Sequence, residues 1–260
     1  MSAATRARLA AMLADEPLDL AEANLMISAE ATAGLDVGAA LARVDRLAAR
    51  AAAEGVAPAL REEGFRGDAE DYDEPRNSFL DQVLERRRGL PIALATLTLA
   101  VARRAGAPMA GIGLPGHFVV ADLAGAEPAY LDPFDGWERR SVDDLAAIVR
   151  RTSGLDLRAE FLEPAGDRAI LARTLANLRG SYLRRRRLRD ALWTVELGLL
   201  LAPGDLDLES RAIGLLAGAG SYAEAEERAA AFLAAHPGHA EAPAVEARLD
   251  AARDMRRRMN

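Results

Sequence analysis

The chain has 260 residues, a formal net charge of −7 at pH 7 and no cysteine. The missing thiol excludes disulfide bonds, cysteine nucleophiles and cysteine-ligated metal sites. All 33 basic residues are arginine, and the acidic balance argues against nucleic acid and anionic membranes as partners. Half of the residues are hydrophobic, which is enough to build a globular core.

No segment of the sequence is typical of a membrane span or a secretory signal. The longest mainly apolar stretch covers residues 90–102, which is too short to cross a bilayer. The first 17 residues lack a long apolar region followed by a cleavage site. We therefore expect a cytoplasmic protein.

Apolar residues recur at helical spacing in the first quarter of the chain. The pattern predicts helices over residues 19–32 and 36–54, the second with Asp36 as N-cap. A polar, acidic loop follows at 67–76. The next helix is predicted from residue 78 to Gly89, capped by Asn77 or Ser78.

Pro91 opens the most apolar predicted helix, which ends at Gly106. Proline suits a first helical position because its missing N–H has no helical partner there. After Pro108 the helical period disappears, and short apolar runs broken by glycine and proline predict two or three strands. Ser141 and Asp144 then form the sequence pattern of a capping box, which opens another helix.

The sequence from Ala169 onward is helical and contains an internal repeat. Ala191 and Ala225 are 34 residues apart, and Pro203 and Pro237 keep the same offset. A 34-residue period with a mid-repeat alanine and a terminal proline is typical of tetratricopeptide repeats. We expect two such repeats followed by a capping helix.

Three points in the middle of the chain have the order of a thiol-dependent catalytic site. They are the helix start at Pro91, His117 on a predicted strand and Asp132 on the next strand. In a Cys-His-Asp site the helix dipole stabilises the thiolate, histidine takes its proton and aspartate orients the imidazole.

The motifs around these points resemble the transglutaminase-like superfamily. GLPIALATLTLAVARRAGAP corresponds to its core helix, and PGHFVV and YLDPFDG contain the expected histidine and aspartate. Together with DEPRNSFLDQVLERRRGLPIALATL and the repeats, they resemble SirB-type bacterial proteins from about Leu18 onward. The resemblance implies a papain-like arrangement of helices on a small antiparallel sheet. It also places the family's cysteine position on Pro91.

Pro91 has no nucleophilic atom, so the sequence disfavours thiol-dependent enzyme activity. Whether the chain is an enzyme at all stays open, with a non-enzyme favoured. His117 and Asp132 either line a pocket or tie two strands together. Asn77 and Arg76 are candidate cleft residues, although helix capping explains Asn77 equally well.

Two aromatic residues near Asp132, Tyr130 and Trp137, are also candidate binding residues, with core packing as the alternative. No metal site and no cofactor are expected. The acidic loop lacks the spacing of a calcium-binding loop, and two histidines near the C-terminus lack a third ligand.

The sequence thus predicts an α+β, mainly helical protein. A transglutaminase-like domain with a small antiparallel sheet is expected over residues 1–165, and a short tetratricopeptide-repeat α-solenoid over 166–260. The favoured function is a non-catalytic scaffold or regulator that binds a protein or peptide through its cleft or repeats. The alternatives are an amide or ester hydrolase using His117 and Asp132, and a purely structural domain. The oligomeric state is not predicted.

Overall fold

The computed structural model describes residues 3–14 and 18–259. Its internal contacts divide the chain into two compact units, Met1–Thr174 and Leu175–Asn260. The first unit combines helices with an antiparallel sheet, and the second is helical. The predicted α+β, mainly helical class is therefore confirmed.

The first unit begins with helices whose N-termini are fixed by local sequence. The side chain of Asp19 accepts hydrogen bonds from the N–H groups of Ala21 and Glu22, and Asp36 accepts one from Ala39. These caps satisfy N–H groups that have no partner inside the helix. The helices are α1 (Ala3–Met12), α2 (Leu20–Ala31), α3 (Val37–Glu54) and α4 (Val56–Glu62).

The predicted cap of the next helix, Asn77 or Ser78, is wrong. Asn77 ends the 3-10 turn Pro75–Asn77 and Ser78 is the C-cap of that turn, whereas the N-cap of helix α5 (Leu80–Arg86) is Phe79, which makes no side-chain capping bond. The side-chain oxygen of Asn77 is instead occupied by Arg86. The helix also stops before Gly89, because Arg87 adopts a left-handed conformation with φ 56°.

Helix α6 (Pro91–Ala105) is the centre of the first unit. Every residue from Pro91 to Ala102 is buried, and α6 contacts α2, α3 and α4. Gly106 ends it with φ 72°, a left-handed conformation that glycine adopts without a steric cost. The start at Pro91 and the end at Gly106 are as predicted.

Two short strands precede α6 and pair in parallel. They are β1 (Arg66–Gly67) and β2 (Arg88–Gly89). This pairing was not predicted, because two residues are too few for a strand pattern in the sequence.

A four-stranded antiparallel sheet follows α6, in the order of the chain. The prediction of two or three strands missed the last one, which is short and whose sequence, Glu-Arg-Arg, has no apolar alternation. The strands are β3 (Met109–Ile112), β4 (Val119–Asp122), β5 (Ala129–Asp132) and β6 (Glu138–Arg140).

Helix α7 (Val142–Ser153) shares a hydrophobic core with the sheet. Its Leu145 and Val149 pack with Ile112, Leu114 and Val119. The predicted capping box is present, since Ser141 and Asp144 bond reciprocally to each other's backbone N–H. Helix α6 contacts β3 and β4 as well, so the strands that flank the candidate site are held by two helices. The prediction of His117 on a strand is wrong, because His117 lies in the turn that precedes β4.

The first unit ends in helix α8 (Asp167–Arg184), which continues past Thr174 into the second. Before it, Pro164 forms an isolated bridge with Ile112 of β3.

The second unit consists of consecutive helices that pack on their neighbours. Ala191 and Ala225, the two repeat alanines, are fully buried. Among the residues described, no helix is long and apolar enough to cross a membrane. The helices after α8 are α9 (Leu188–Leu201), α10 (Leu206–Gly218), α11 (Tyr222–Ala235) and α12 (Ala242–Met259).

Candidate functional site

His117 and Asp132 form a hydrogen-bonded pair in the first unit. Nε2 of His117 lies 2.9 Å from Oδ2 of Asp132. The side chain of Asp132 is buried and that of His117 is 10% exposed. Within the described residues Nδ1 of His117 makes no hydrogen bond. The pair thus has the geometry of an imidazole oriented by a carboxylate, with one ring nitrogen left over.

Asp132 is held in place by backbone groups that follow it in the sequence. Its Oδ1 accepts a hydrogen bond from the N–H of Phe134 at 3.0 Å, and its carbonyl oxygen accepts one from Trp137 at 2.7 Å. Nε of Arg140 lies 3.9 Å from Oδ2, which is an ion-pair distance. Asp132 is therefore held by the backbone of the following residues as well as by His117.

Pro91 is the first residue of α6 and is buried. The N–H of Leu90, just before it, donates to the carbonyl oxygen of Asn77 at 2.8 Å. The N–H of Asp68 donates to the carbonyl oxygen of Gly89. These bonds fix the N-terminus of α6, the position where active relatives are expected to carry a thiolate.

A chain of close contacts links the start of α6 to His117. Gly67 pairs with Gly89 and lies against Phe134, so that a Cβ added at Gly67 would meet the carbonyl oxygen of Phe134 at 2.5 Å. The ring of Phe134 in turn packs edge-on against the ring of His117 at 6.2 Å. Glycine at position 67 is thus required by this close approach.

Asn77 belongs to a polar network beside the start of α6, and Arg76 does not. Arg86 donates to Oδ1 of Asn77 at 2.8 Å and to Oδ2 of buried Asp68 at 3.1 Å. Nδ2 of Asn77 donates to the carbonyl oxygen of Asp71 at 2.7 Å. Arg76 is exposed and pairs with Glu74. The carbonyl oxygen of Asn77, which accepts the N–H of Leu90, joins this network to the start of α6.

Tyr130 lies on β5, and Trp137 lies in the turn between Asp132 and β6. Tyr130 on β5 packs against the core shared with α7. Trp137 is 1% exposed, and its indole N–H donates to Oγ1 of Thr98 in α6 at 3.1 Å. The contacts of Trp137 are those of a core residue that ties the Asp132 turn to α6.

Sequence reasoning missed the contribution of Arg140 and of Gly67. Arg140 lies on β6, the strand that the sequence pattern did not reveal. Its partners are Asp135 and, through Nε, Asp132. The spacing from Asp132 across a hairpin was a usable signal for Arg140, whereas the closeness of Gly67 to Phe134 depends on tertiary packing.

No hydroxyl near the start of α6 is placed to replace a thiol. Ser78, Thr96 and Thr98 are all buried. The hydroxyl of Thr98 donates to the carbonyl oxygen of Leu94 and accepts from Trp137. A nucleophile needs access to its substrate and a nearby base, and these side chains offer no access.

Metal binding has no support in the arrangement of side chains. Over residues 3–14 and 18–259, no three histidine, aspartate or glutamate side chains converge closely enough to hold an ion.

The transglutaminase-like superfamily matches residues 30–176 of the chain. This stretch is more than half of the sequence and contains Pro91, His117 and Asp132 together with α6, α7 and all four strands of the antiparallel sheet. The chain belongs to the transglutaminase-like superfamily.

Curated bacterial proteins are similar to this transglutaminase-like protein. A UPF0162 protein of Xylella fastidiosa is 38% identical over 145 residues, 54% of this chain and 52% of its own length. A UPF0162 protein of Pseudomonas aeruginosa is 34% identical over 222 residues, 77% of this chain and 78% of its own length. The chain spans about half the length of the first of these relatives.

A shorter segment is similar to a mammalian protein. F-box only protein 21 of Mus musculus is 44% identical over 71 residues, 27% of this chain and 11% of its own length. No solved structure matches the chain.

Proposed function

We propose that this transglutaminase-like protein is non-catalytic and binds a protein or peptide partner. The observation that carries the proposal is Pro91. It occupies the start of α6, where thiol-dependent relatives are expected to carry cysteine, and the chain has no cysteine anywhere. The other two positions of such a site are present, since His117 and Asp132 form a hydrogen bond.

Placing a cysteine at position 91 tests whether His117 and the N-terminus of α6 can still activate a thiol there. Pro91→Cys introduces the only thiol of the chain, so alkylation reports on that position without background. We expect its thiolate to form well below the ordinary thiol pKa of about 8.5, because the helix N-terminus and His117 both favour the charged form. The readout is the rate of iodoacetamide alkylation against pH.

The matched control is Pro91→Cys combined with His117→Ala. The profile of the double variant is expected to move back toward higher pH. An unchanged profile would mean that His117 does not influence a thiol at the start of α6. His117 and position 91 would then not belong to one site.

The second candidate function is hydrolysis of an amide or ester with His117 as general base on water. It is favoured by Nδ1 of His117, which makes no hydrogen bond among the described residues. Turnover of an amide and ester panel by the wild-type chain, lost in a folded His117→Ala variant, would establish this activity and reject the non-catalytic proposal. We expect no turnover above the buffer rate.

To test for partner binding by crosslinking, the crosslinker must not depend on lysine, because the chain has no lysine. Tyr72 is 43% exposed and packs against Phe134, beside His117. Replacing Tyr72 with photoreactive benzoylphenylalanine is expected to capture a specific partner in cells. The same replacement at Leu123, exposed to a similar degree at 42%, is the control. Equal capture from both positions, or none from either, contradicts binding at the cleft.

We further propose that α9–α12 form SirB-type tetratricopeptide repeats and that the protein acts in the cytoplasm. The 34-residue offset between Ala191 and Ala225 supports the repeat, as does the burial of both alanines.

A further inference from the structure

Arg173 on α8 is a partly buried arginine without an acidic partner. Its Nη2 donates to the carbonyl oxygen of Leu114 at 3.2 Å. Among the described residues its guanidinium forms no other hydrogen bond and no ion pair. Burial lowers the pKa of Arg173 below its ordinary value, and the charge interaction with Tyr72 opposes that shift. A desolvated cation of this kind is stabilised when an anion binds to it.

The guanidinium of Arg173 lies at the turn that carries His117. The carbonyl oxygen of Leu114, which accepts the bond from Arg173, also accepts one from the backbone N–H of His117 at 3.2 Å. Two donors therefore share one acceptor, and a single turn separates the unpaired cation from the imidazole.

Two aromatic contacts connect Tyr72 to His117. The charge interaction with Tyr72 raises the pKa of Arg173, and the ring of Tyr72 packs edge-on against Phe134 at 5.9 Å. Phe134 packs against His117 at 6.2 Å, and His117 leads back to Arg173 through Leu114. We call Arg173, Tyr72, Phe134 and His117 the aromatic–arginine circuit. Tyr72 exposes its side chain to solvent, so a ligand has access at that residue.

We propose that the aromatic–arginine circuit binds the carboxylate of a peptide ligand, with Arg173 as its anion-binding residue. The inference rests on the proposed function, peptide binding beside His117. The planar guanidinium matches the two oxygens of a carboxylate. When Asp132 is ionised, Nε2 of His117 donates to it and Nδ1 is left as an acceptor for a ligand N–H.

A carboxylate fits this circuit better than a phosphate does. A phosphate monoester carries nearly two negative charges, whereas the circuit supplies one cation without an acidic partner. Arg140, the arginine beside Asp132, is already paired with Asp135. One unpaired guanidinium balances one carboxylate.

The test compares a peptide acid with its amide on the full chain. N-acetyl-alanyl-alanine with a free C-terminal carboxylate and the same dipeptide as C-terminal amide are titrated while the histidine side chains are observed by NMR. The chain has three histidines, and His236 and His239 in the second unit serve as internal references. We expect the acid to shift the His117 signals saturably, and the amide to bind at least about tenfold more weakly.

Substitutions assign the preference to Arg173. Arg173→Gln is expected to abolish the difference between acid and amide, and Arg173→Lys to keep part of it. Arg151→Gln, an exposed arginine on α7, is the control and leaves the preference unchanged. Thermal melting checks that each variant is folded, and if Arg173→Gln is not, Arg173→Lys and the wild-type comparison decide.

Three results would overturn the inference. They are equal shifts by acid and amide, a preference that survives Arg173→Gln, and inorganic phosphate displacing the acid at equal concentration. Equal shifts leave peptide binding itself standing. No His117 shift with either dipeptide, together with a partner crosslinked through position 72, likewise rejects the carboxylate and keeps the proposed function. No shift and no crosslinked partner reject both.

Discussion

At the scale of single residues, the hydrogen bond between Trp137 and Thr98 joins the Asp132 turn to the central helix. Both side chains are buried, and Oγ1 of Thr98 is the acceptor of the indole N–H at 3.1 Å. Because Trp137 also donates its backbone N–H to Asp132, its position bears on the orientation of the carboxylate. A buried N–H that loses its acceptor carries the full cost of desolvation.

Thr98→Val is expected to destabilise the protein by about 1–3 kcal/mol, since it leaves the indole N–H without an acceptor while conserving shape. Thr96→Val is the matched control, on the same helix and equally buried. Its hydroxyl has no hydrogen-bond partner in the part of the chain that the structure describes, so its removal is expected to be neutral or stabilising. Urea denaturation measures both, and equal losses from the two variants would contradict the assigned role of Thr98.

At the scale of secondary structure elements, short-range signals determine where most helices begin and end. Asp36, the Ser141–Asp144 box and Gly106 were predicted from the sequence because each acts within a few residues of its own position. β1 and β2 were not predicted because each has two residues and pairs with a segment about 20 residues away, and β6 was not predicted because its sequence carries no alternation. Local patterns therefore account for the helices better than for the strands.

The candidate site follows the same division. The sequence pattern and the family resemblance singled out Pro91, His117 and Asp132 as positions of one site. The structure brings His117 and Asp132 into contact. The closeness of Gly67 to Phe134 and the shared acceptor of Arg173 were not predicted. Both depend on segments that are far apart in the sequence, and no periodicity reports such contacts.

The capping box of α7 predicts how the stability of the protein depends on pH. Hydrogen bonds from the hydroxyl and backbone of Ser141 lower the pKa of Asp144 below its ordinary value of 3.8. A lowered carboxyl pKa adds stability above the unfolded-state pKa, and that stability is lost as pH falls through the folded-state pKa. We expect wild type to exceed Asp144→Asn in urea midpoint at about pH 6, and the difference to shrink toward about pH 3.

The control for this prediction is the neighbouring Asp143→Asn, which removes a charge from the same helix turn outside the capping box. Its difference from wild type is expected to vary less with pH. Ser141→Ala is expected to cost about 1 kcal/mol at neutral pH, since it removes the N-cap. A pH profile of Asp144→Asn that parallels that of Asp143→Asn would show that the box contributes no more than a helix-end charge.

At the scale of the whole molecule, each of the two compact units contains a hydrophobic cluster of its own. Val119 belongs to a cluster formed by β3, β4 and α7 in the first unit. Val245 belongs to a cluster formed by α10, α11 and α12 in the second. Both valines are fully buried, so the same substitution probes either unit at equal depth.

Val245→Ala is expected to lower the opening free energy of the second unit by about 1–3 kcal/mol, because it removes buried methyl groups and leaves a cavity. Hydrogen exchange followed by mass spectrometry should show faster exchange in α10–α12 and unchanged exchange in α6. Val119→Ala is the reciprocal control and should accelerate exchange in the sheet and α7 while leaving α10–α12 unchanged. If either substitution accelerates exchange equally throughout both units, the two units unfold as one cooperative body and are energetically coupled.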